Sequence, residues 1–259
     1  MLVALVAAQF LAPRAAAITW GQRDGVNHPA VGAMMAYWDP TTPTTLQELC
    51  SGTLVAPTVF LTAAHCTDYL VNQLHISDVW VTFDTDSAQG PYLHGVMHQD
   101  PAYPGPASDP HDIAVIVLDE PAVGIAPASL PKLGVFDAMK KAGTLNGQTF
   151  TAVGYGDRER VHERGGGAPQ FGFDGYRWAA TSGFNALNAA WLRLSQNAAT
   201  GNGGTCFGDS GGPNFIGDTS VVGGITITGD SVCVATNVDY RVDTQEARTF
   251  LGRFGVPLP

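Results

Sequence analysis

Residues 205–215 read TCFGDSGGPNF, with three glycines and a proline crowded around one serine, Ser210. Such a run makes a poor helix or long strand, because glycine loses the most backbone entropy on ordering and proline withholds a backbone donor. Glycine also reaches the positive φ values that tight turns demand, so the segment reads as a sharp turn holding Ser210 up. A serine in a turn is ordinary. What this one does depends on which residues the rest of the chain brings to it.

The chain has 259 residues, 45% of them hydrophobic, which allows an ample core in one large domain or two small ones. Its 31 glycines and 17 prolines, spread without a short period, point to many short strands between turns and hence to an all-β class. Thirteen Lys and Arg against 23 Asp and Glu give a net charge of −10. That balance favours solubility and disfavours nucleic acid or an anionic membrane as a partner. The first residues, MLVALVAAQFLAPRAAAITWG, carry an apolar run from Leu2 to Ala12 and then Ala15, Ala16 and Ala17. This is the pattern of a secretory signal over residues 1–17, too short for a transmembrane helix, so the expectation is a secreted, soluble protein in which disulfides are allowed. Four cysteines permit three pairings.

Short apolar runs recur between turn signals at 31–38, 51–64, 79–83, 112–118, 149–156 and 220–227, with the β-branched content of strands. Residues 157–175 are charged, then glycine-rich and aperiodic, and read as a surface loop. Near the end, VDTQEARTFLGRF places Asp243 and Thr244 as helix N-caps before apolar residues at helical spacing.

Two more segments complete the chemistry of Ser210: LTAAHC, which contains His65, and HDIAVIVL, which begins with His111 and Asp112. A serine hydroxyl is a weak nucleophile near neutral pH and needs a neighbouring base, for which imidazole is suited. A carboxylate then has to hold the imidazole tautomer and stabilise the imidazolium, a role that fits Asp112 at the head of an apolar strand. With GDSGGP, the three segments in this order resemble the chymotrypsin/trypsin-like serine peptidase family from about Ile18 to the C-terminus.

The resemblance implies two antiparallel six-stranded Greek-key β-barrels with a short C-terminal helix, the first over about 18–135 and the second over about 136–259. It implies a catalytic triad of His65, Asp112 and Ser210, and an oxyanion hole from the backbone N–H groups of Gly208 and Ser210. It also implies disulfides Cys50–Cys66 and Cys206–Cys233, protein or peptide substrates, a monomer, and no cofactor or metal. The specificity pocket maps to Gly204 at its floor, with Thr205, Thr228 and Gly229. Since Gly204 supplies no carboxylate, a buried Lys or Arg before the scissile bond would lack a partner, and apolar side chains are expected instead. Asp230, beside this pocket, reads as a turn acid rather than a ligand. Finally, Ile18-Thr19-Trp20-Gly21 resembles the mature N-terminus of the family. Cleavage after Ala17 would free an amine to pair with Asp209, raising that amine above its usual value of about 8.

Gly208–Gly212 also satisfies G-x-S-x-G, the nucleophile elbow of α/β-hydrolases, but that fold needs a histidine after the serine and the last one here is His162. His94 and His98 stand four apart without an HExxH pattern or a third ligand, and read as loop or strand side chains. A binding relative that kept the fold without catalysis is disfavoured by the intact His65, Asp112, Gly208, Asp209 and Ser210.

Overall fold

In the computed structural model, which describes residues 18–158, 160–161 and 170–259, the short apolar runs become strands that close on themselves twice. The signal reading at 1–17 lies outside the described residues. A two-residue strand, β1 (Gln22–Arg23), leads into the first barrel: β2 (Val31–Ala36), β3 (Gln47–Ala56), β4 (Val59–Thr62), β5 (Val79–Thr82), β6 (Leu93–Gln99) and β7 (Ala114–Leu118). Its order is β2-β3-β4-β7-β6-β5, closed by pairing of β5 with β2. Two short strands, β9 (Arg160–Val161) and β10 (Gln170–Phe171), pair antiparallel in a sheet of their own. The second barrel is built from β8 (Thr149–Gly154), β11 (Trp178–Leu187), β12 (Trp191–Ser195), β13 (Pro213–Ile216), β14 (Val222–Gly229) and β15 (Thr236–Arg241). Around it the order is β8-β11-β12-β15-β14-β13 and back to β8, all antiparallel. In both barrels the strands therefore run first, second, third, sixth, fifth, fourth, the same Greek-key path followed twice. Closure leaves neither sheet with a bare edge, and β1 is added outside along β11.

Among the described residues three α-helices complete the path, with a π-helical turn (Tyr69–Gln73) and a 3-10 turn (Ala198–Thr200): α1 (Ala64–Asp68), α2 (Val135–Ala142) between the barrels, and α3 (Gln245–Gly252) at the C-terminus. The Thr244 hydroxyl accepts the Ala247 N–H and caps α3. Asp243 does other work: it accepts the Phe136 N–H at the start of α2 and forms a two-pronged ion pair with buried Arg241. No side chain of its own caps α2, which is bounded by Gly134 and Gly143, so its start carries no local sequence signal. Two further expectations change. The run 51–64 is not one strand but the β3–β4 turn followed by the start of α1, since Pro57 has no N–H to continue a ladder and the β3–β4 register shifts at Leu54 and Ala56. The loop at 157–175 contains β9 and β10, its remaining residues lying partly outside those described.

The seam between the barrels carries a buried polar network alongside its apolar contacts. Arg177, 2% exposed, sends Nε to Asp24 Oδ2 at 2.9 Å, Nη1 to the carbonyls of Val31 and Phe83, and Nη2 to that of Gly25. Tyr155 adds its hydroxyl to the Asp84 carbonyl at 2.6 Å, and its N–H donates to Ser51 Oγ. Burial alone would raise the Asp24 carboxyl, but His28 and Arg177 outweigh it and hold it below its ordinary range. Arg177→Met should strip buried Asp24 of its guanidinium partner and remove the hydrogen bonds to the Val31, Phe83 and Gly25 carbonyls, so we expect about 3–5 kcal/mol less stability by denaturant unfolding. A change below about 1 kcal/mol would show that this seam does not tie the barrels.

Candidate active site

His65 sits on α1, which follows directly from β4, and Asp112 stands two residues before β7, the partner of β4. The pairing of β4 with β7 therefore brings these two residues side by side. Asp112 Oδ1 accepts the His65 backbone N–H at 2.9 Å and Oδ2 lies 2.8 Å from His65 Nδ1. A carboxylate can only accept, so Nδ1 carries the proton and Nε2 keeps its lone pair. Asp112 is buried, with its side chain 9% exposed, whereas the imidazole is 31% exposed.

Ser210 comes from the second barrel, on the loop that enters β13, and it is pressed against the first. Ser51 in β3 donates its N–H to the Ser210 carbonyl at 2.9 Å and its Oγ to the Gly208 carbonyl at 3.0 Å. Cys66, next to His65 and bonded to Cys50, places Sγ 3.9 Å from the same Ser210 carbonyl. Glycine is required here in two ways. Gly208 has φ +89°, and Gly211 has φ +78° with room for no side chain, since a Cβ would stand 2.1 Å from Thr62 Oγ1. Among the described residues, the N–H groups of Gly208 and Ser210 have no protein acceptor.

The loop turns around the carboxyl of Asp209, which is completely buried. Oδ1 accepts the Gly156 N–H at 2.9 Å and Oδ2 the Cys206 N–H at 2.8 Å, with no cation against either among the described residues. Burial, only partly offset by those two donors and reinforced by nearby Asp157, pushes this carboxyl up to about 7. Ile18 is fully buried against Ala152, Trp178 and Ala180, and Thr19 bridges to Gly204.

Beside Ser210 lies a cavity of about 170 Å³ lined by Thr205, Thr228, Gly229, Ile227 and the Cys206–Cys233 disulfide. Gly204 does not reach it. A Cβ there would meet Gln196 Oε1 at 2.2 Å, so the Gln196 side chain covers the position that the sequence assigned to the floor. Asp230 lines the rim, but its carboxylate is occupied by the N–H groups of Val234, Ala235 and Thr236 and by Gln196 Nε2. Burial would raise Asp230, yet these bonds prevail and hold it low, as a turn acid. Asp239 lies behind Thr226 and Asn214, and its burial pushes it well above the carboxylate range despite bonds from the neighbouring polar side chains. Glu48, Asp157 and Gln196 border the site without any motif of their own; they arrive through tertiary packing.

Three other histidines make their contacts elsewhere. His94 and His98 lie on β6, His94 beside Asp119 and His98 against Phe254, and His111 rests beside Asp100. The one cluster of potential metal ligands among the described residues is Cys50, His65 and Cys66, and its sulfurs are joined to each other.

A family model described as Trypsin matches residues 33–249. Among solved structures, neuropsin, titled a serine protease expressed in the limbic system of mouse brain, is similar with a TM-score of 0.63 and 23% identity. That match covers 92% of this chain and 100% of the other, and at this identity it shows a shared fold.

The fit of the serine loop to the first barrel can be measured. Gly211→Ala combines the left-handed penalty of roughly 1–2 kcal/mol with a direct clash, whereas Gly217→Ala, also at positive φ, meets only Gln148 Nε2 at 3.6 Å. Unfolding should show Gly211→Ala as clearly the costlier. Equal costs would mean the loop does not seat on Thr62 and Ser51.

Proposed function

The chain belongs to the trypsin family of serine endopeptidases, and on that premise we propose that it is a secreted peptidase acting through His65, Asp112 and Ser210, with its two barrels spanning about 18–135 and 136–259. The observation that carries this reading is the two-point contact of Asp112 with His65, which leaves Nε2 as the base on the rim where Ser51 holds the serine loop. Ser210 Oγ attacks the scissile carbonyl carbon as His65 Nε2 takes its proton. The oxygen becomes an oxyanion and accepts hydrogen bonds from the Gly208 and Ser210 N–H groups, the two donors without other acceptors. His65, its imidazolium stabilised by Asp112, returns the proton to the departing amine, leaving an acyl-enzyme. Water then attacks the ester with His65 again as base, releasing the acid and restoring Ser210. No helix of the described residues is long and apolar enough to cross a membrane. The apolar leader before Ile18 supports export, and the acyl-side preference should be apolar because every oxygen of Asp230 is spoken for.

Ser210→Ala and His65→Ala should each lose on the order of a thousandfold or more in kcat/KM on peptides, with unchanged far-UV CD. A fluorophosphonate should label the parent chain and not Ser210→Ala. Retained turnover in either folded variant overturns the assignment. On a peptide library, Phe, Tyr, Leu or Met before the cleaved bond should outrank Lys and Arg, and the reverse order would overturn the reading of the cavity.

We further propose that cleavage after Ala17 converts the Ile18 nitrogen into an amine that pairs with Asp209. Before cleavage that nitrogen is an amide, and ionised Asp209 has no cation. The folded chain then keeps a proton on Asp209 up to about pH 7 that the unfolded chain loses near pH 4, so stability falls as pH rises through this window. Glu48 and Asp157, also raised, slope the same way. The part due to Asp209 is the difference from Asp209→Asn. That difference should be present in the uncleaved chain and vanish in a chain beginning at Ile18, where the amine holds Asp209 ionised. Stability curves from pH 4 to 8 that match before and after cleavage would remove this ion pair.

A further inference from the structure

A second pocket, of about 750 Å³, opens against the other face of the serine loop. It shares Phe207 with the cavity beside Ser210 but is lined by Gly208, whereas that cavity is lined by Ser210. A substrate that seats the side chain before its scissile bond in the Ser210 cavity, with its carbonyl oxygen at the Gly208 N–H, runs its leaving-group half over this second pocket. An extended chain advances about 3.3 Å per residue, so the pocket meets the first or second residue after the bond. The inference rests on the roles proposed above for Ser210 and Gly208.

Five acids line the pocket, and they divide by what their oxygens do. Asp39 accepts from Thr41, Asp86 from the Ala88 N–H, and Asp174 from Arg23, the Tyr176 N–H and Trp178 Nε1. Glu48 and Asp157 find no such donors among the described residues. Glu48 Oε1 is shut off from solvent with no hydrogen-bond partner, 3.1 Å from where a Cβ on Gly208 would stand. A buried acceptor without a donor is costly and calls for one. Burial, then the nearby Asp209 and Asp157, drives the Glu48 carboxyl well above its ordinary range. Burial likewise pushes Asp157 up to about 6 against the pull of Arg158, a side chain that itself lies against Asp174 and the Gly172 carbonyl.

Both carboxyls would be relieved by one incoming cation. A metal ion suits the site poorly, because no three of these carboxylates converge within ligand reach. A long basic side chain suits it well: Trp38, Leu49 and Phe173 offer apolar wall for its alkyl stem, while the head group donates to the acids. Asp209 is not a competitor for this cation, being fully buried behind the loop.

We propose that this pocket is a leaving-group subsite that takes a lysine or arginine side chain, with Glu48 and Asp157 accepting its hydrogen bonds. The peptidase then has two opposed preferences, apolar before the scissile bond and basic just after it.

The test uses paired peptides with one acyl half and either Arg, Lys or norleucine at the first and second positions after the bond. On the mature enzyme, kcat/KM for the best basic peptide should exceed that for norleucine by at least about tenfold, and the ratio should drop severalfold in both Glu48→Gln and Asp157→Asn. Binding of the same uncleaved peptides to Ser210→Ala, by fluorescence anisotropy, should show the same ordering and the same loss on adding Glu48→Gln. Equal handling of Arg and norleucine in turnover and binding, or a ratio that survives either substitution, overturns the subsite. Fluorophosphonate labelling separates the two proposals. An unlabelled parent chain whose Ser210→Ala variant still binds basic peptides preferentially refutes the catalytic reading and keeps the subsite, whereas a labelled, active enzyme without the preference does the opposite.

Discussion

The loop that carries Ser210 is organised by a carboxyl group that never meets water. Asp209 is fully buried, and its two oxygens draw in the Cys206 and Gly156 N–H groups from either side. Those bonds fix the turn through Gly208, set the direction of the next two N–H groups, and hold the loop against the end of β8. A buried carboxylate is costly to ionise without a cation, so the same group that shapes the site also makes its charge state the variable on which the shape depends. Placing the carboxyl one residue before the serine puts that variable where a small change in backbone direction matters most to a nucleophile.

The second constraint is that the site is shared. His65 and Asp112 are fixed by strands of one barrel and Ser210 by the other, so their relation is only as definite as the seam between the barrels. Side chains of Arg177, Tyr155 and Ser51 bridge that seam through directional bonds to backbone groups rather than through apolar contact alone. Hydrogen bonds of this kind fix a register that apolar surfaces would leave free to slide. Gly211 completes the fit, because its bare Cα is what lets the serine loop lie directly on Thr62.

How much of this could be read beforehand follows the range of each interaction. The segments around His65, Asp112 and Ser210 are legible because each places its chemistry within a few residues, and the family resemblance supplied the disulfide pairs that the chain forms. The α3 helix was legible from Thr244 for the same reason. By contrast α2 has its cap, Asp243, 107 residues away, and no local pattern announces it. The Gln196 side chain over Gly204 was not legible, because it reaches that position from the end of β12 only in the folded chain. Glu48 stands two residues before Cys50 in a polar stretch, and only the approach of Gly208 from the other barrel leaves its Oε1 buried and donorless.

Two sets of acids around the seam and the site therefore differ physically rather than compositionally. Asp24, Asp243 and Asp230 find their partners within the fold: Arg177 and His28 serve the first, Arg241 and the Phe136 N–H the second, and a ring of backbone donors the third. Asp209, Glu48 and Asp157 gather on both sides of Gly208 with too few donors; burial raises all three, and neighbouring acids add to it at Asp209 and Glu48. Keeping three acids around one turn concentrates an unmet demand for positive charge at the point where a substrate's carbonyl would be polarised. Two sources can meet that demand from different directions, the chain's own freed amine from the interior and a basic side chain from the cleft. The first would act once, at maturation, and the second at every turnover, so the same electrostatic deficit that opposes the unprocessed fold would favour binding of the leaving group.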